Sequence, residues 1–308
     1  MGIIVSGLKK VGSLFYGPTA SSNIQVLISN LEKIAKSKSD YKKSPLDDES
    51  KQYELRMDLV NEYRKANKEK ELFNLLSEVA FNKGVDTELM AQAICCFSYF
   101  MVLEKKENLV LIEKLLDCLN NTSAQIRGAA VYLLTFKHHD DARVMPVLLQ
   151  CINDEDAQVQ KFTIGALQCF NPRPDVLKAF EAKLNTLSDK NSLKQDVKDA
   201  IEFVHAGIQF DLEEELVVFS RLDTKDQQIK ARAATVNLFI EKYGEPLIKK
   251  VLSNIASGTI ILYPENKTCK KDKDCQLQAI YALKDLEHLG TVSTSEALLD
   301  SLENKVKN

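Results

Sequence analysis

Two stretches of this chain, 33 residues apart, are written to one pattern. Leu115-Leu116-Asp117-Cys118-Leu119 leads to Ala124-Gln125-Ile126-Arg127 and an apolar stretch ending at Leu134 and Phe136. Leu148-Leu149-Gln150-Cys151-Ile152 leads to Ala157-Gln158-Val159-Gln160 and a stretch ending at Leu167 and Phe170. A period of this size constrains the fold more than any single residue, because a repeated unit must bury its apolar face against its own neighbours.

With Ile126 as the reference position, the same frame falls on Val159, Ile229 and Cys275, more loosely on Val197, and more weakly on Leu55 and Met90. Successive anchors lie 35, 36, 33, 38, 32 and 46 residues apart, and the long interval holds an insertion from Gly258 to Lys273. From each anchor the apolar residues recur at i, i+3, i+4 and i+7, the stripe of an amphipathic helix. A second apolar helix precedes each one, as at Leu109 to Leu119, Val144 to Ile152, Val176 to Leu187, Leu212 to Phe219 and Leu247 to Ile255. Short polar turns divide the two: Asn120 to Ser123, Asn153 to Asp156, Ser188 to Asn191 and Asp223 to Asp226. Asn, Asp, Ser and Thr favour such positions because their side chains bond free helix-end amides. Pro146, Pro174 and Pro246 sit near the start of first helices, where a missing N–H does little harm.

First helix, Asn/Asp turn, then Asp-x-x-Val-(Arg/Lys/Gln) and a run of small and aliphatic residues: this succession resembles the HEAT repeats of the armadillo-like superfamily. It is clearest at Asp156 to Gln160 and at Asp226 to Lys230, and good from about residue 85 to 285. The resemblance implies an all-α fold, a right-handed α-solenoid of about seven HEAT-like helix pairs with a capping C-terminal helix. The expected division is an N-terminal amphipathic or capping segment (1–20), the solenoid (21–290) and a capping helix and tail (291–308). The fold hosts many activities, so it does not assign one.

Composition agrees with a helical, folded chain. The 308 residues are 44% apolar and 28% charged, with only 11 Gly and 7 Pro. A net charge of -3 supplies no global basic field, which argues against nucleic acid as a partner. Of the seven cysteines, Cys95, Cys96, Cys118, Cys151 and Cys169 lie in apolar helical context, and no Cys/His group has zinc spacing, which fits a reducing compartment. No run reaches the roughly 20 apolar residues that span a bilayer.

Arg127, Gln160, Lys198, Lys230 and Gln276 share one position in the frame, with Arg232 an added cation on the same helix as Lys230. In the family this position bonds the acidic turn of a neighbouring repeat; the alternative is a ridge on the concave face that meets a protein partner. His138-His139-Asp140-Asp141 reads as a loop, because adjacent residues do not generally converge on one ion. HEAT-like hydroxylases carry His-Glu dyads, and this chain has none. HEAT-like DNA glycosylases use aromatic and cationic grooves, against which the absent Trp and the net charge weigh. A HEAT-like lyase acting on a bound chromophore has no loud motif and stays open. No catalytic residue, metal or cofactor is assigned.

The principal reading is therefore a non-enzymatic, cytoplasmic scaffold or adaptor that binds a protein partner through its concave face. The N-terminus suggests a second, a peripheral membrane adaptor. Met1-Gly2-Ile3-Ile4-Val5-Ser6 fits the N-myristoylation pattern, and Ile4, Leu8, Val11 and Phe15 share one helical face beside Lys9 and Lys10. Changing Gly2 to Ala, or deleting residues 1–16, should then release the protein from membranes on fractionation; unchanged partitioning removes the membrane reading.

Overall fold

The computed structural model describes residues 18–37, 51–82, 84–100, 105–138, 141–168, 170, 173–258, 273–288 and 296–307. The N-terminal residues Gly2, Ile4, Leu8, Lys9, Lys10, Val11 and Phe15, the polar loop 38–50 and most of the 258–273 insertion lie outside them. All regular structure among the described residues is helical, as the repeat frame requires. No described helix is long and apolar enough to cross a membrane. The chain divides into two compact units, 1–169 and 170–308, each treated by itself.

The first unit is built from helix pairs: α1 (Pro18–Lys36) with α2 (Lys51–Lys65), α3 (Glu69–Ala80) with α4 (Thr87–Cys96), α5 (Lys105–Cys118) with α6 (Ala124–His138), and α7 (Val144–Cys151) with α8 (Ala157–Gln168). A 3-10 turn, Phe97–Tyr99, prolongs α4. The second helices stack, α2 on α4, α4 on α6 and α6 on α8. The sequence of α6 explains its central place. Residues 126–131 and 133–135 are buried without a break, so the helix is apolar nearly all round and needs neighbours on three sides. Gly128 admits a close approach: a Cβ there would sit 3.1 Å from Cδ2 of Phe162 on α8.

The polar turns do the capping work their composition predicts. Asp86 Oδ1 accepts from the Glu88 and Leu89 amides at the start of α4. Asp156 Oδ1 accepts from Gln158 and Val159 at the start of α8. Under α3 and the 3-10 turn, Phe73 meets Phe97 and Phe100 edge-on, with ring centroids 5.1 and 5.7 Å apart.

The second unit holds α9 (Pro174–Thr186), α10 (Leu193–Ser220), α11 (Lys225–Tyr243), α12 (Glu245–Ser257), α13 (Lys273–His288) and α14 (Glu296–Lys307). The predicted pair of α12 and α13 is present, and α14 packs on α13. There Lys284 Nζ reaches Asp300 Oδ1 at 2.7 Å and bonds Glu303 as well. Helix ends again follow the sequence: Thr224 and Gln227 form a capping box at α11, and α12 closes on Gly258 in the left-handed conformation (φ 69°).

Two features differ from the repeat frame. First, α10 is one helix of 28 residues where the frame expects a break between Val204 and Leu212. The joining residues hold no proline and no polar turn, and Ala206, Gly207, Ile208 and Gln209 are buried, so continuing the helix satisfies the backbone where a turn would strand it. Second, the face of α11 is rotated from the one placed by the Ile229 anchor. Ile229 is 48% exposed and Lys230, Ala233 and Ala234 face solvent, while the buried residues of this helix are Arg232 and Val236. The polar anchor Arg232 sets that register.

These assignments separate two substitutions that the repeat frame treats alike. Leu134→Ala, at a fully buried site on α6, should cost about 2–5 kcal/mol in chemical denaturation. Ile229→Ala should cost under about 1 kcal/mol, because its side chain already meets water. Equal costs would restore the original register of α11.

Candidate partner-binding face

With so much of α6 buried, its solvent side narrows to a stripe through Gln125, Tyr132 and Phe136. The sequence places two aromatic rings on that stripe, one helical turn apart, with centroids 5.8 Å from each other. The neighbouring second helices extend the row. Tyr99, on the 3-10 turn after α4, meets Tyr53 of α2 edge-on at 5.4 Å. Tyr99 and Tyr132 are electrostatic neighbours, and the Tyr132 hydroxyl contacts the Ser98 side chain. Tyr53, Tyr99 and Tyr132 are half-buried, and Phe136 is 58% exposed.

Cations border these rings. Lys137 Nζ lies 5.6 Å from the Phe136 centroid and donates to the Phe100 carbonyl at 3.0 Å. Arg64 Nη2 donates to the Tyr99 carbonyl at 2.9 Å. Burial pushes the Tyr99 phenol up to about 12 and raises that of Tyr132, so both are neutral hydroxyls at physiological pH. A surface of fixed aromatic rings, hydroxyl groups and flanking cations gives large contact area at low entropic cost, the chemistry enriched at binding hot spots.

The six residues of the predicted ridge separate by environment. Arg127 is 5% exposed and clamps the next repeat: Nε and Nη2 donate to the Asp154 carboxylate at 2.8 and 2.7 Å, and Nη1 to the carbonyls of Asn121 and Thr122 at 2.8 and 3.2 Å. Gln160 is half-buried and donates to the Asp154 backbone carbonyl. Both thus bond the acidic turn, one of the two roles the sequence offered.

Arg232 is 4% exposed and is the polar anchor of α11. Its Nε and Nη2 donate to Asp285 Oδ2 at 3.0 and 2.8 Å, its Nη1 to Gln278 Oε1 at 2.9 Å, and its guanidinium lies 5.5 Å from the Tyr281 ring. A partner cannot reach guanidinium groups held this way, so Arg127 and Arg232 serve the fold. Gln276 is half-buried, and Lys198 and Lys230 are exposed in the second unit.

Other candidate chemistry is sparse. Among the described residues no group of His, Cys, Asp and Glu could hold a metal ion. His138 is buried at the end of α6, while His139 and Asp140 lie outside the described residues. Among the described residues Cys95, Cys96, Cys118, Cys151 and Cys275 form no disulfide. A cavity of about 360 Å³ opens between α3 and α5, lined by Phe73, Phe81, Val110 and Leu111, with Lys70 and Glu107 3.6 Å apart beside it.

The aromatic row is absent from the repeat frame because the frame compares positions that recur, and Tyr53, Tyr99 and Tyr132 do not recur at one position. A signal did exist. Tyr132 and Phe136 are bulky rings at i and i+4 in a helix whose run from Gly128 to Leu134 is otherwise small and aliphatic, and they fall off its i, i+3, i+4, i+7 core stripe.

Removing the Arg127 side chain should leave Asp154 half-buried and cost about 3 kcal/mol. Burial alone would raise the Asp154 carboxyl, but the Arg127 hydrogen bond and the Asp156 amide outweigh it and hold the group below its ordinary 3.8. A carboxyl depressed in the folded state contributes stability above 3.8 and loses it as pH falls through the folded value. The wild type should therefore lose more unfolding free energy than Arg127→Met as acid is added below 3.8. Parallel acid profiles in urea denaturation would contradict the clamp.

Among solved structures the chain is similar to YibA of Escherichia coli, at 16% identity and a TM-score of 0.39, covering 91% of this chain and 96% of that one. It is also similar to a designed armadillo repeat protein, at 12% identity and a TM-score of 0.35, covering 84% of this chain and 99% of that one. No protein-family model and no curated protein matches it. Likenesses this loose carry no further argument, and the helical-repeat fold rests on the pairing and stacking described above.

Proposed function

We propose that the chain is a non-enzymatic helical-repeat adaptor that binds a protein partner across the second-helix face of its first unit. The observation that carries this reading is the row Tyr53, Tyr99, Tyr132 and Phe136, with Phe136 the most exposed ring. Single exposed apolar residues need no explanation, but a row of rings held by their own ring contacts and bordered by Arg and Lys is a built surface. Such surfaces take up an extended segment or a helix by a few anchors, with the remaining contacts near neutral in energy. The exposed cations Lys198 and Lys230 give the second unit a polar surface suited to weaker, salt-dependent contacts.

Peptide display against the purified chain tests the reading and needs no identified partner. Sequences selected by the wild type should lose at least about tenfold in affinity to the double variant Tyr132→Ala, Phe136→Ala, equivalent to roughly 1.4 kcal/mol. The double variant should stay cooperatively folded with a midpoint only a few degrees lower, since Phe136 is exposed and Tyr132 is half-buried on the solvent stripe of α6. Selected peptides that bind both proteins equally would place the binding surface elsewhere.

A further inference from the structure

Arg56 of α2 lies beneath the aromatic row and is 3% exposed. Its Nη1 donates to Gln92 Oε1 at 2.8 Å, and Gln92 Nε2 in turn donates to Glu88 Oε1 at 2.9 Å. Its guanidinium also contacts the Tyr99 hydroxyl. Its Nε is buried with no hydrogen-bond partner among the described residues. This differs from the other two buried guanidinium groups, each of which bonds a carboxylate directly, Asp154 for Arg127 and Asp285 for Arg232.

The titratable groups around the Arg56 charge are the Cys95 and Cys96 thiols and the Tyr99 and Tyr132 phenols. Burial pushes Cys96 and Tyr99 each up to about 12 and raises Cys95 and Tyr132, so none is an anion at neutral pH. The nearest carboxylate in the hydrogen-bond chain, Glu88, stands one glutamine side chain away. A buried cation with only neutral partners carries a desolvation penalty that a counter-ion would relieve. Of its neutral partners, Tyr99 is on the half-exposed aromatic row and sits on a short 3-10 turn, where a ring can swing out without disturbing a helix.

We infer that Arg56 forms the floor of an oxyanion subsite on this face, in which a carboxylate or phosphate borne by a partner's peptide segment replaces the Tyr99 hydroxyl on the guanidinium. Nε and the terminal nitrogen beside it form a planar fork that matches two oxygens of such a group. The Tyr53 ring, which meets Tyr99 edge-on at 5.4 Å, borders the subsite, which favours an anion attached to an apolar or aromatic carrier. The inference rests on the partner-binding reading of the face and names the partner's charge.

Thermal unfolding of the full chain tests it with three probes of one shape: benzoate, phenyl phosphate and the neutral benzamide. A saturable rise in the wild-type midpoint with either anion, absent with benzamide and absent in Arg56→Met, supports the subsite. The anion acting at the lower concentration distinguishes a carboxylate from a phosphate. Without any probe, the midpoint of Arg56→Met should equal or exceed that of the wild type, because methionine fills the volume and removes the uncompensated charge. A midpoint several degrees lower shows that Arg56 holds the fold together and overturns the proposal. So does an anion response that is missing, or equal in the two proteins. No partner takes part, so a failure here leaves the Tyr132 and Phe136 experiment standing on its own.

Discussion

Helix α6 cannot exist in water alone. Nine of its residues between Ile126 and Thr135 are buried, and only a stripe one residue wide reaches solvent. That surface must be covered by α4 on one side, α8 on the other and the first helices behind, so the pairing and stacking of the first unit follow from a single demand for apolar burial. Gly128 shows how tight the demand is, since even one methyl group there would press on Phe162. The same demand fixes what is left over. Once every other side of the helix is committed, Gln125, Tyr132 and Phe136 form the stripe of α6 left toward solvent.

Three buried guanidinium groups punctuate this apolar packing, and the way each charge is met separates structural work from binding work. Arg127 ties one repeat to the acidic turn of the next with a carboxylate and two carbonyls. Arg232 draws α11 against α13 through Asp285, Gln278 and Tyr281, and by doing so turns α11 so that its apolar anchor faces water. Arg56 is left with an amide and a phenol. The first two cases are complete without a ligand. The third is the one position in this set where an outside anion would improve the electrostatics.

Much of the architecture was legible because it is carried by residues that recur. The polar turns, the caps at Asp156 and Thr224, the prolines at the starts of α9 and α12, and the apolar stripes are local and periodic, so a single sequence reveals them. The long helix α10 was hidden because a missing turn leaves no positive mark: Ala206 to Gln209 look equally suited to a helix end or a helix middle. The rotation of α11 was hidden because it depends on Asp285 and Gln278, some fifty residues away. The aromatic row was legible only in its Tyr132 and Phe136 pair, for a related reason. Tyr53 and Tyr99 come from α2 and the turn after α4, and only the stacking of those helices on α6 brings them beside that pair.

Helix α6 is enclosed on every side but one, whereas α11 is held mainly through Arg232 and Val236. Native-state hydrogen exchange resolved by mass spectrometry reads this difference, since amides in well-enclosed helices open only with the unit as a whole. Amides of residues 126–135 should exchange among the slowest in the first unit and far more slowly than those of residues 228–240. Exchange in α6 as fast as in α11 would contradict the enclosure on which the first unit is built.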